Sequence, residues 1–255
     1  MTTALITGGT SGIGAAFARA LAARGDDLVL VARDAERLAA TAANLRDEYG
    51  IEVETLVADL ADRDQVLRVA SRLESTDQPI DTLVSNAGFG VRARLLDADT
   101  SPHEQSFDVM VRAVLILGAA AGRAMRARGA GTIINVSSTA GYVTMGSYSA
   151  TKSWVTVYTE SLANELRGTG VKVSVLCPGW VRTEFHERAD ISSGKIPSFL
   201  WLDADRLVAD CLNDVEHSRV ISIPSLRYKA LMLAARHVPR SGVRWISGKM
   251  TSSRH

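Results

Sequence analysis

The sequence predicts an α/β domain in which a mostly parallel sheet of seven strands carries helices on both faces. Two observations indicate this class: short apolar runs alternate with longer segments of helical periodicity, and 46% of the 255 residues are hydrophobic. Parallel strands need long crossover connections, usually helices, and strands covered on both faces are continuously apolar. No repeat, low-complexity segment or linker interrupts residues 1–255, so we expect one doubly wound domain.

The predicted strands are the runs rich in Val, Ile and Leu, and the gaps between them are long enough for helices. The strands lie near residues 3–7, 27–32, 52–58, 81–86, 132–138, 172–177 and 219–223. The helices lie near residues 12–24, 35–48, 62–75, 102–128, 148–168, 204–216 and 225–237. Asp34 is placed to cap the second helix, and Gly168 and Gly170 are placed to end the helix at 148–168.

Cysteine content and hydropathy exclude several classes of protein. Cys177 and Cys211 are too few for a disulfide framework, and neither lies in a C-x-x-C, so no metal site is expected. The longest apolar stretches are far shorter than the ~20 residues that span a bilayer. The chain begins without the basic and apolar regions of a signal peptide, which predicts a cytoplasmic protein.

Basic residues are concentrated at the C-terminal end. After Glu216 there are eight Lys and Arg and no Asp or Glu, although the net charge is only +1. Within this basic segment, about 217–255, residues 226–238 place apolar side chains at helical spacing among cations, as in helices that lie on anionic membranes. Two interpretations stay open: peripheral membrane contact, or pairing of the tail with the acidic body of the protein. A nucleic-acid partner is not expected.

Residues with chemical functions follow the predicted strands directly. They are Gly8–Gly14 after the first strand, Arg33 after the second, Asp59 after the third, Asn86 after the fourth, Ser138 after the fifth, and Pro178 and Gly179 after the sixth. In doubly wound sheets, ligands bind beyond the carboxyl ends of the strands, where the strand order reverses. The sequence therefore predicts a binding site at this edge of the sheet.

The glycine-rich segment Thr7–Gly14 reads T-G-G-T-S-G-I-G and lies between an apolar strand and a helix. Glycines at 8, 12 and 14 allow positive φ and a close approach of the backbone to a pyrophosphate. The helix that follows offers free N–H groups to the anion. The spacing differs from the common G-x-G-x-x-G, but the strand–turn–helix context predicts dinucleotide binding.

Arg33 indicates which dinucleotide is bound. An acidic residue at the end of the second strand binds the ribose hydroxyls of NAD, whereas an Arg there accommodates the 2′-phosphate of NADP. Asp34 is close enough to compete, but its place before a helical pattern suits a cap better. We therefore favour NADP over NAD.

Tyr148 and Lys152 are one helical turn apart and share a helix face. A nearby ammonium group and an oxidised nicotinamide would lower the phenol's pKa from its usual value near ~10, which would allow proton transfer near neutral pH. Ser138 is placed to hydrogen-bond the reacting oxygen. The pattern predicts hydride transfer between a nicotinamide cofactor and a carbonyl or alcohol group.

Together these motifs resemble the short-chain dehydrogenase/reductase family over residues 1 to about 225, which implies a Rossmann-type fold. The matching motifs are TGGTSGIG at 7–14, Asp59-Leu60, SNAG at 85–88, NVSS at 135–138, YSATK at 148–152 and PGWVRT at 178–183. The cofactor-binding residues implied by the resemblance, with Arg33 from the argument above, are Gly8, Ser11, Gly12, Ile13, Gly14, Arg33, Asp59, Leu60, Asn86, Tyr148, Lys152 and Thr183.

The resemblance also implies roles. Tyr148 would be the general acid/base, Ser138 would bind the carbonyl oxygen, and Lys152 would clamp a ribose and tune the tyrosine. Asp59 would lie at the adenine, Asn86 beside the adenine-side ribose, and Thr183 near the nicotinamide carboxamide. A homodimer or homotetramer through the helices at 102–128 and 148–168 is implied as well.

Two features depart from the family pattern. Met110 stands where the family has an Asn that holds a water molecule, and this water relays protons to the lysine. Without the Asn, a backbone carbonyl could hold the water. Alternatively, Met110 is simply a core residue. The run between Ser138 and Tyr148 is shorter than in many relatives, which leaves the placement of Ser138 open.

The substrate is expected beneath a lid formed by residues 184–202, with small residues at 192–194 as a hinge. Apolar residues at 199–202 favour a hydrophobic, lipid-like substrate; alternatively they dock the lid onto the core or fill a subunit interface. We predict an NADP-dependent oxidoreductase that interconverts a ketone or aldehyde and an alcohol. The alternatives are a catalytically weak NADP-binding regulator or scaffold, and an epimerase or dehydratase with tightly held cofactor.

Overall fold

The computed structural model describes residues 2–183 and 197–252. Its strands are β1 (Thr3–Thr7), β2 (Asp27–Ala32), β3 (Val53–Val57), β4 (Thr82–Ser85), β5 (Gly131–Val136), β6 (Val171–Leu176), β7 (Trp180–Val181), β8 (Trp201–Leu202) and β9 (Ile221–Ser222). Seven of them form a parallel sheet in the order β3-β2-β1-β4-β5-β6-β9, while β7 and β8 form a separate two-stranded sheet. The strand order reverses between β1 and β4, so the predicted doubly wound, Rossmann-type class is confirmed.

Helices cover both faces of the sheet. They are α1 (Gly12–Ala22), α2 (Ala35–Tyr49), α3 (Arg63–Glu74), α4 (Ser101–Phe107), α5 (Ala113–Arg128), α6 (Gly146–Glu165), α7 (Ala204–Glu216), α8 (Leu226–His237) and α9 (Arg240–Ser252). A π-helical turn, Asp108–Arg112, joins α4 to α5. None of the described helices is long and apolar enough to cross a membrane.

Two apolar layers hold the sheet between the helices. Ile6 and Leu30 pack with side chains of α1, α2 and α7 on one face, whereas Leu5 and Val29 pack with α3, α5 and α6 on the other. Successive residues of a strand point to opposite faces, so a strand buried on both faces must be apolar throughout. This requirement explains why the strands could be recognised from sequence.

The predicted helix ends are right in one case and displaced in the other. The Asp34 carboxylate accepts a hydrogen bond from the backbone N–H of Arg37 at 3.0 Å, which confirms it as the cap of α2. Helix α6, predicted over 148–168, ends earlier, at Glu165, while Gly168 and Gly170 adopt positive φ in the turn that follows.

Four features differ from the expected pattern. The helix expected over 102–128 is divided by the π-helical turn at 108–112, and β7, β8 and α9 were not predicted. Two-residue strands are too short to show a period of two, and α9 combines small, polar and basic residues with few apolar ones.

Candidate active site

The carboxyl ends of β1, β2 and β4 are joined by hydrogen bonds. The backbone N–H of Gly8 donates to the carbonyl of Val31 at 2.8 Å. Asn86 donates from its side-chain amide to the carbonyls of Thr7 at 3.0 Å and Gly8 at 3.2 Å. Through these hydrogen bonds Asn86, which follows β4, fixes the start of the glycine-rich turn.

The N-terminus of α1 is open to an anion. Ser11 has an extended backbone and its side chain makes no capping hydrogen bond, and the first turn has no acidic residue. By contrast, Asp34, Asp62 and Asp203 cap α2, α3 and α7. The first N–H groups of α1 are therefore available, together with the positive end of the helix dipole, for a phosphate.

Two glycines keep this turn free of side chains. A Cβ atom on Gly14 would lie 2.1 Å from the carbonyl oxygen of Gly8, and Gly12 has a φ of +55°. A Cβ on Gly12 would also lie 3.2 Å from Cβ of Thr183, so Thr183 is packed directly against the turn. The turn and the open helix thus fit the phosphates of a dinucleotide, and Thr183 lies beside them.

Two cations lie near the end of β2. Arg33 is exposed and follows Ala32, whose carbonyl accepts a hydrogen bond from Ala58 at 3.0 Å. Arg37, which the sequence analysis did not single out, donates from Nε to the carbonyl of Thr10 at 3.1 Å. The only sequence signal for Arg37 was its position four residues after Arg33. The contact with Thr10 could not be predicted, because it joins α2 to the glycine-rich turn.

Asp59, Leu60 and Ile13 have mainly structural contacts in this structure. The Asp59 carboxylate accepts from the backbone N–H of Ala61 at 2.9 Å, and its own N–H donates to the side chain of Gln65 at 2.8 Å. Leu60 is buried in the core, and Ile13 packs against the layer beneath α1. Their proposed contacts with a cofactor therefore depend on backbone groups and on the exposed edges of their side chains.

Ser138, Tyr148 and Lys152 come together at the same edge of the sheet. Ser138 and Tyr148 are hydrogen-bonded through their side chains, and the Ser138 oxygen accepts from the N–H of Ala140 at 3.1 Å. Lys152 Nζ lies 5.8 Å from the centre of the Tyr148 ring. The short run between Ser138 and Tyr148 therefore still brings the two hydroxyls together, through a 3₁₀ turn at Thr139–Tyr142.

Burial controls the ionisation of this pair. It raises the pKa of Tyr148 to about 12, against the opposing effect of the hydrogen bond with Ser138. It lowers the pKa of Lys152 from 10.5 to about 8. In the protein alone, desolvation of the phenolate outweighs the stabilising contacts, whereas the expected lowering of the tyrosine pKa includes the charge of a bound oxidised nicotinamide. At neutral pH the phenol holds its proton.

Met110 is both a core residue and a neighbour of this site. It is fully buried within the π-helical turn. A Cβ on Gly88 would lie 2.9 Å from Met110 Sδ and 3.6 Å from Lys152 Nζ, so both side chains lie against Gly88. Lys152 Nζ donates to the carbonyl of Val136 at 2.9 Å.

His103 is a residue near the site that sequence reasoning missed. Its Nε2 lies 3.1 Å from the carbonyl of Arg94, so Nε2 carries the proton, since a carbonyl only accepts. Nδ1 then accepts from the Ser147 hydroxyl at 2.7 Å. Because Ser147 precedes Tyr148, this buried histidine fastens the loop at Arg94 to the start of α6.

Most of the expected lid, residues 184–196 with the proposed hinge at 192–194, lies outside the described residues. Its distal end is attached to the body: the Tyr228 hydroxyl donates to the carbonyl of Leu200 at 2.8 Å and accepts from the N–H of Trp180 at 3.1 Å. Leu200 and Leu202 pack against the core, whereas Phe199 is 59% exposed. Part of the apolar cluster thus docks this segment onto the body.

Metal-binding and thiol chemistry have no visible basis in the described part of the chain. No group of three or more His, Cys, Asp or Glu is placed there to hold a metal ion. Burial raises the pKa of Cys177 to about 11 and that of Cys211 to about 12, which keeps both thiols protonated.

Comparison with known proteins gives consistent matches. The family model described as short chain dehydrogenase matches residues 2–192. A galactitol 2-dehydrogenase (L-tagatose-forming) of Cereibacter sphaeroides is 37% identical over 187 residues, which cover 71% of this chain and 72% of the relative.

Solved structures match over more of the chain. A short-chain dehydrogenase from Sphingobium yanoikuyae in complex with NADPH is 36% identical, with a TM-score of 0.84 over 92% of this chain and 94% of that one. A bulky-bulky ketone specific alcohol dehydrogenase from Comamonas testosteroni is 29% identical, with a TM-score of 0.80 over 94% and 96%. Both likenesses extend well beyond the residues that the family model covers.

Proposed function

The chain belongs to the short-chain dehydrogenase/reductase family and is an NAD(P)-dependent oxidoreductase that acts on carbonyl and alcohol groups. From this premise we propose that it interconverts hydrophobic ketones or aldehydes and their alcohols, with NADP(H) as the cofactor. The observation that carries the proposal is the hydrogen-bonded pair Ser138 and Tyr148, with Lys152 one turn away, at the same edge as the open N-terminus of α1.

The cofactor would be held by the glycine-rich turn and its surroundings. The turn at 8–14, including Ser11, would bind the pyrophosphate, while Arg33 and Arg37 would bind the 2′-phosphate. The NADPH in the Sphingobium relative supports this choice over NAD. The remaining assignments are Asp59 and Leu60 at the adenine, Asn86 and Lys152 at the two riboses, and Thr183 at the carboxamide.

The described side chains account for the proton chemistry. When bound, the reduced nicotinamide supplies a hydride to the carbonyl carbon. Tyr148, protonated at neutral pH because its pKa is raised to about 12, donates a proton to the carbonyl oxygen, and Ser138 stabilises that oxygen by a hydrogen bond. The ammonium group of Lys152 stabilises the phenolate that remains. Oxidation of an alcohol would need that phenolate first, so it should require a higher pH than reduction.

The substrate would be hydrophobic. The exposed Phe199 supports this, and the bulky ketones named for the Comamonas enzyme are the class to test first. In this proposal residues 1–255 act as one domain, in which residues 184–202 cover the substrate. The substrate named for the Cereibacter relative, galactitol, is instead a polar polyol, so the test includes both hydrophobic and polar substrates.

One observation favours the second candidate, a catalytically weak NADP-binding regulator. Beside Lys152 the chain has the thioether of Met110, which is a poor partner for a water that relays protons. If the protein is such a regulator, it should bind NADPH but not oxidise it with any substrate, and Met110→Asn should not create turnover. For an active enzyme, Met110→Asn should alter the pH profile of turnover.

The decisive experiment follows NADPH absorbance with bulky ketones and with keto sugars. Tyr148→Phe should abolish turnover and leave NADPH affinity nearly intact, because only the transferable proton is lost. Tyr158→Phe is the matched control, since Tyr158 lies on the same helix but stacks on Trp154. Equal turnover in the wild type and Tyr148→Phe would refute the proposal.

Cofactor preference has a separate test. Arg33→Ala should weaken NADPH binding at least about tenfold and leave NADH binding nearly unchanged, since only the 2′-phosphate contact is removed. Arg37→Ala should weaken NADPH binding more than NADH binding, but it also removes the hydrogen bond to the carbonyl of Thr10 in the glycine-rich turn. Arg167→Ala, beyond the far end of α6, serves as the control. Equal loss for both cofactors would contradict the assignment.

We also propose that the protein forms a homo-oligomer through the outer faces of α4, α5 and α6. These faces expose Phe107, Leu115 and Val157, the last of them 60%. Light scattering should then give a multiple of 27.3 kDa, which Val157→Glu reduces and Leu67→Glu, on the exposed face of α3, does not. A monomeric wild type would contradict this.

A further inference from the structure

We propose that the outward faces of α8 and α9 form a docking surface for an anionic lipid bilayer. The surface comprises the apolar stripe of α8 (Leu226, Ala230, Leu233 and Ala234), the exposed Trp245 of α9, and the cations beside them. It lies outside the site described above.

The apolar stripe of α8 faces away from the protein. Tyr228 and Met232, each 4% exposed, are packed into the core on the inner side of this helix. At 100° per residue, Leu226, Ala230, Leu233 and Ala234 fall on the opposite side. Leu226 is 83% and Leu233 is 61% exposed. A helix that packs only on its own protein normally has polar residues on this side, so the stripe indicates a partner.

Cations border the stripe on both sides. Lys229 and Arg227 lie on either side of the direction of Leu226, and both are exposed. Long basic side chains can place their stems along an apolar surface while the charged groups reach lipid phosphates. Arg227 also donates to the carbonyl of Phe199 at 2.7 Å, which places the exposed Phe199 beside the stripe.

Helix α9 adds an aromatic residue of the type found at membrane interfaces. Val243 and Ser247 are buried, and the Ser247 hydroxyl accepts from the N–H of Thr144 at 3.2 Å. Trp245 falls on the opposite side of α9 and is 64% exposed, next to the exposed Arg244. Tryptophan is enriched at the level of lipid headgroups because its ring is apolar and its N–H is polar.

The charge of the segment selects an anionic occupant. No Asp or Glu occurs after Glu216. Among the residues that the structure describes, Arg219 pairs with Asp214, whereas Lys229, Arg240 and Arg244 form no ion pair, so the acidic body does not neutralise them. A two-fold contact of this surface with a second copy of itself would bring like charges together. Anionic lipids satisfy both the cations and the apolar stripe.

Docking would bring the substrate-side segment to the lipid. Tyr228 and Arg227 of α8 bind the carbonyls of Leu200 and Phe199, at the distal end of the proposed lid. A hydrophobic substrate could then enter from the bilayer. This consequence rests on the proposed function, whereas binding to the bilayer does not.

The test uses the full chain with vesicles of phosphatidylcholine alone or mixed with phosphatidylglycerol. We expect the protein to co-sediment with the mixed vesicles only, and salt to weaken the binding. Leu226→Asp with Leu233→Asp should reduce binding at least about tenfold, since burial of each leucine contributes more than that factor. Leu67→Asp, on the exposed face of α3, should bind like the wild type.

Two further measurements keep the outcomes distinct. NADPH affinity of the α8 variant shows that it is folded, and turnover of a water-soluble ketone without vesicles tests the proposed function separately. The docking proposal is overturned if the wild type does not bind mixed vesicles, or if the α8 variant binds them equally well. It is also overturned if the α8 variant instead loses self-association or binding to an acidic carrier protein while vesicle binding is unchanged.

Discussion

Lys152 is the residue at which stability and the proposed chemistry conflict most directly. It is 5% exposed, and its ammonium group has a backbone carbonyl as hydrogen-bond acceptor and a thioether nearby. Burial without a carboxylate partner lowers its pKa to about 8, so the folded protein carries this charge at a cost. In the proposed mechanism this ammonium group binds the cofactor ribose and stabilises the phenolate, so the cost to stability would serve catalysis.

Replacement of the charge should therefore stabilise the protein. We expect Lys152→Met to raise the free energy of unfolding by up to about 3 kcal/mol at neutral pH while turnover is lost. The folded pKa lies below the unfolded value of 10.5, so the cost is complete below about pH 8 and disappears as the pH rises towards 10.5. Urea unfolding across this range should show the gain shrinking.

The control for this prediction is Lys172→Met, since Lys172 is exposed and donates to the carbonyl of Glu216. It should change stability by a few tenths of a kcal/mol, as surface substitutions usually do. A Lys152→Met protein less stable than the wild type at neutral pH would show that the hydrogen bond to Val136 outweighs the burial of charge.

At the residue scale, sequence motifs indicated the residues proposed to carry chemistry and missed those that position them. Ser138, Tyr148 and Lys152 were recognisable because their spacing is local or they follow a strand. His103 was not, because its two partners, Arg94 and Ser147, come close only in the folded chain. The raised pKa of Tyr148 was missed for the same reason, since burial is a property of tertiary packing.

At the scale of elements, the helix N-termini divide into capped and open ones. Asp62 caps α3 by accepting from Asp64 and Gln65, whereas Ser11 leaves α1 without a side-chain cap. An uncapped N-terminus costs about 1 kcal/mol relative to a good cap. In the proposed site the open end of α1 would exchange this stability for anion binding.

We expect Ser11→Asp to reverse this exchange. The extended backbone at Ser11 suits an N-cap, and a carboxylate there would satisfy N–H groups and the helix dipole, for a gain of about 1 kcal/mol. The same charge would repel the pyrophosphate, so cofactor affinity should fall at least about tenfold. Thermal unfolding and cofactor titration measure both effects. Gains in both stability and affinity would contradict this account of α1.

The observed element boundaries agree with the predicted ones where the sequence pattern is strong, and differ where tertiary packing sets the boundary. The strands at 3–7 and 27–32 were predicted to the residue because each has a continuously apolar interior, at 4–6 and 28–32. The π-helical turn at 108–112 was not predicted, since so short a segment shows no periodic signal of its own.

At the scale of the whole molecule, the proposed site joins segments that are far apart in sequence. The turn after β1, the end of β2, Asn86 after β4, the start of α6 and Thr183 all meet at one edge of the sheet. Doubly wound topology produces this convergence, because all parallel strands end at the same edge. The location of the site was therefore predictable from strand order, while its distances were not.

Because this site exists only in the folded chain, cofactor binding should stabilise the whole molecule. A ligand at 100 times its dissociation constant adds about 2.7 kcal/mol. A chain of this size gains roughly 2–4 °C in Tm per kcal/mol, so NADPH at that excess should raise Tm by about 5–10 °C. NADH at the same concentration should raise it much less, because Arg33 and Arg37 would have no 2′-phosphate to bind.

Tyr148→Phe should keep the full NADPH shift, whereas Ser11→Asp should lose most of it. Equal shifts with both cofactors would contradict the NADP preference, and an undiminished shift in Ser11→Asp would move the pyrophosphate away from α1.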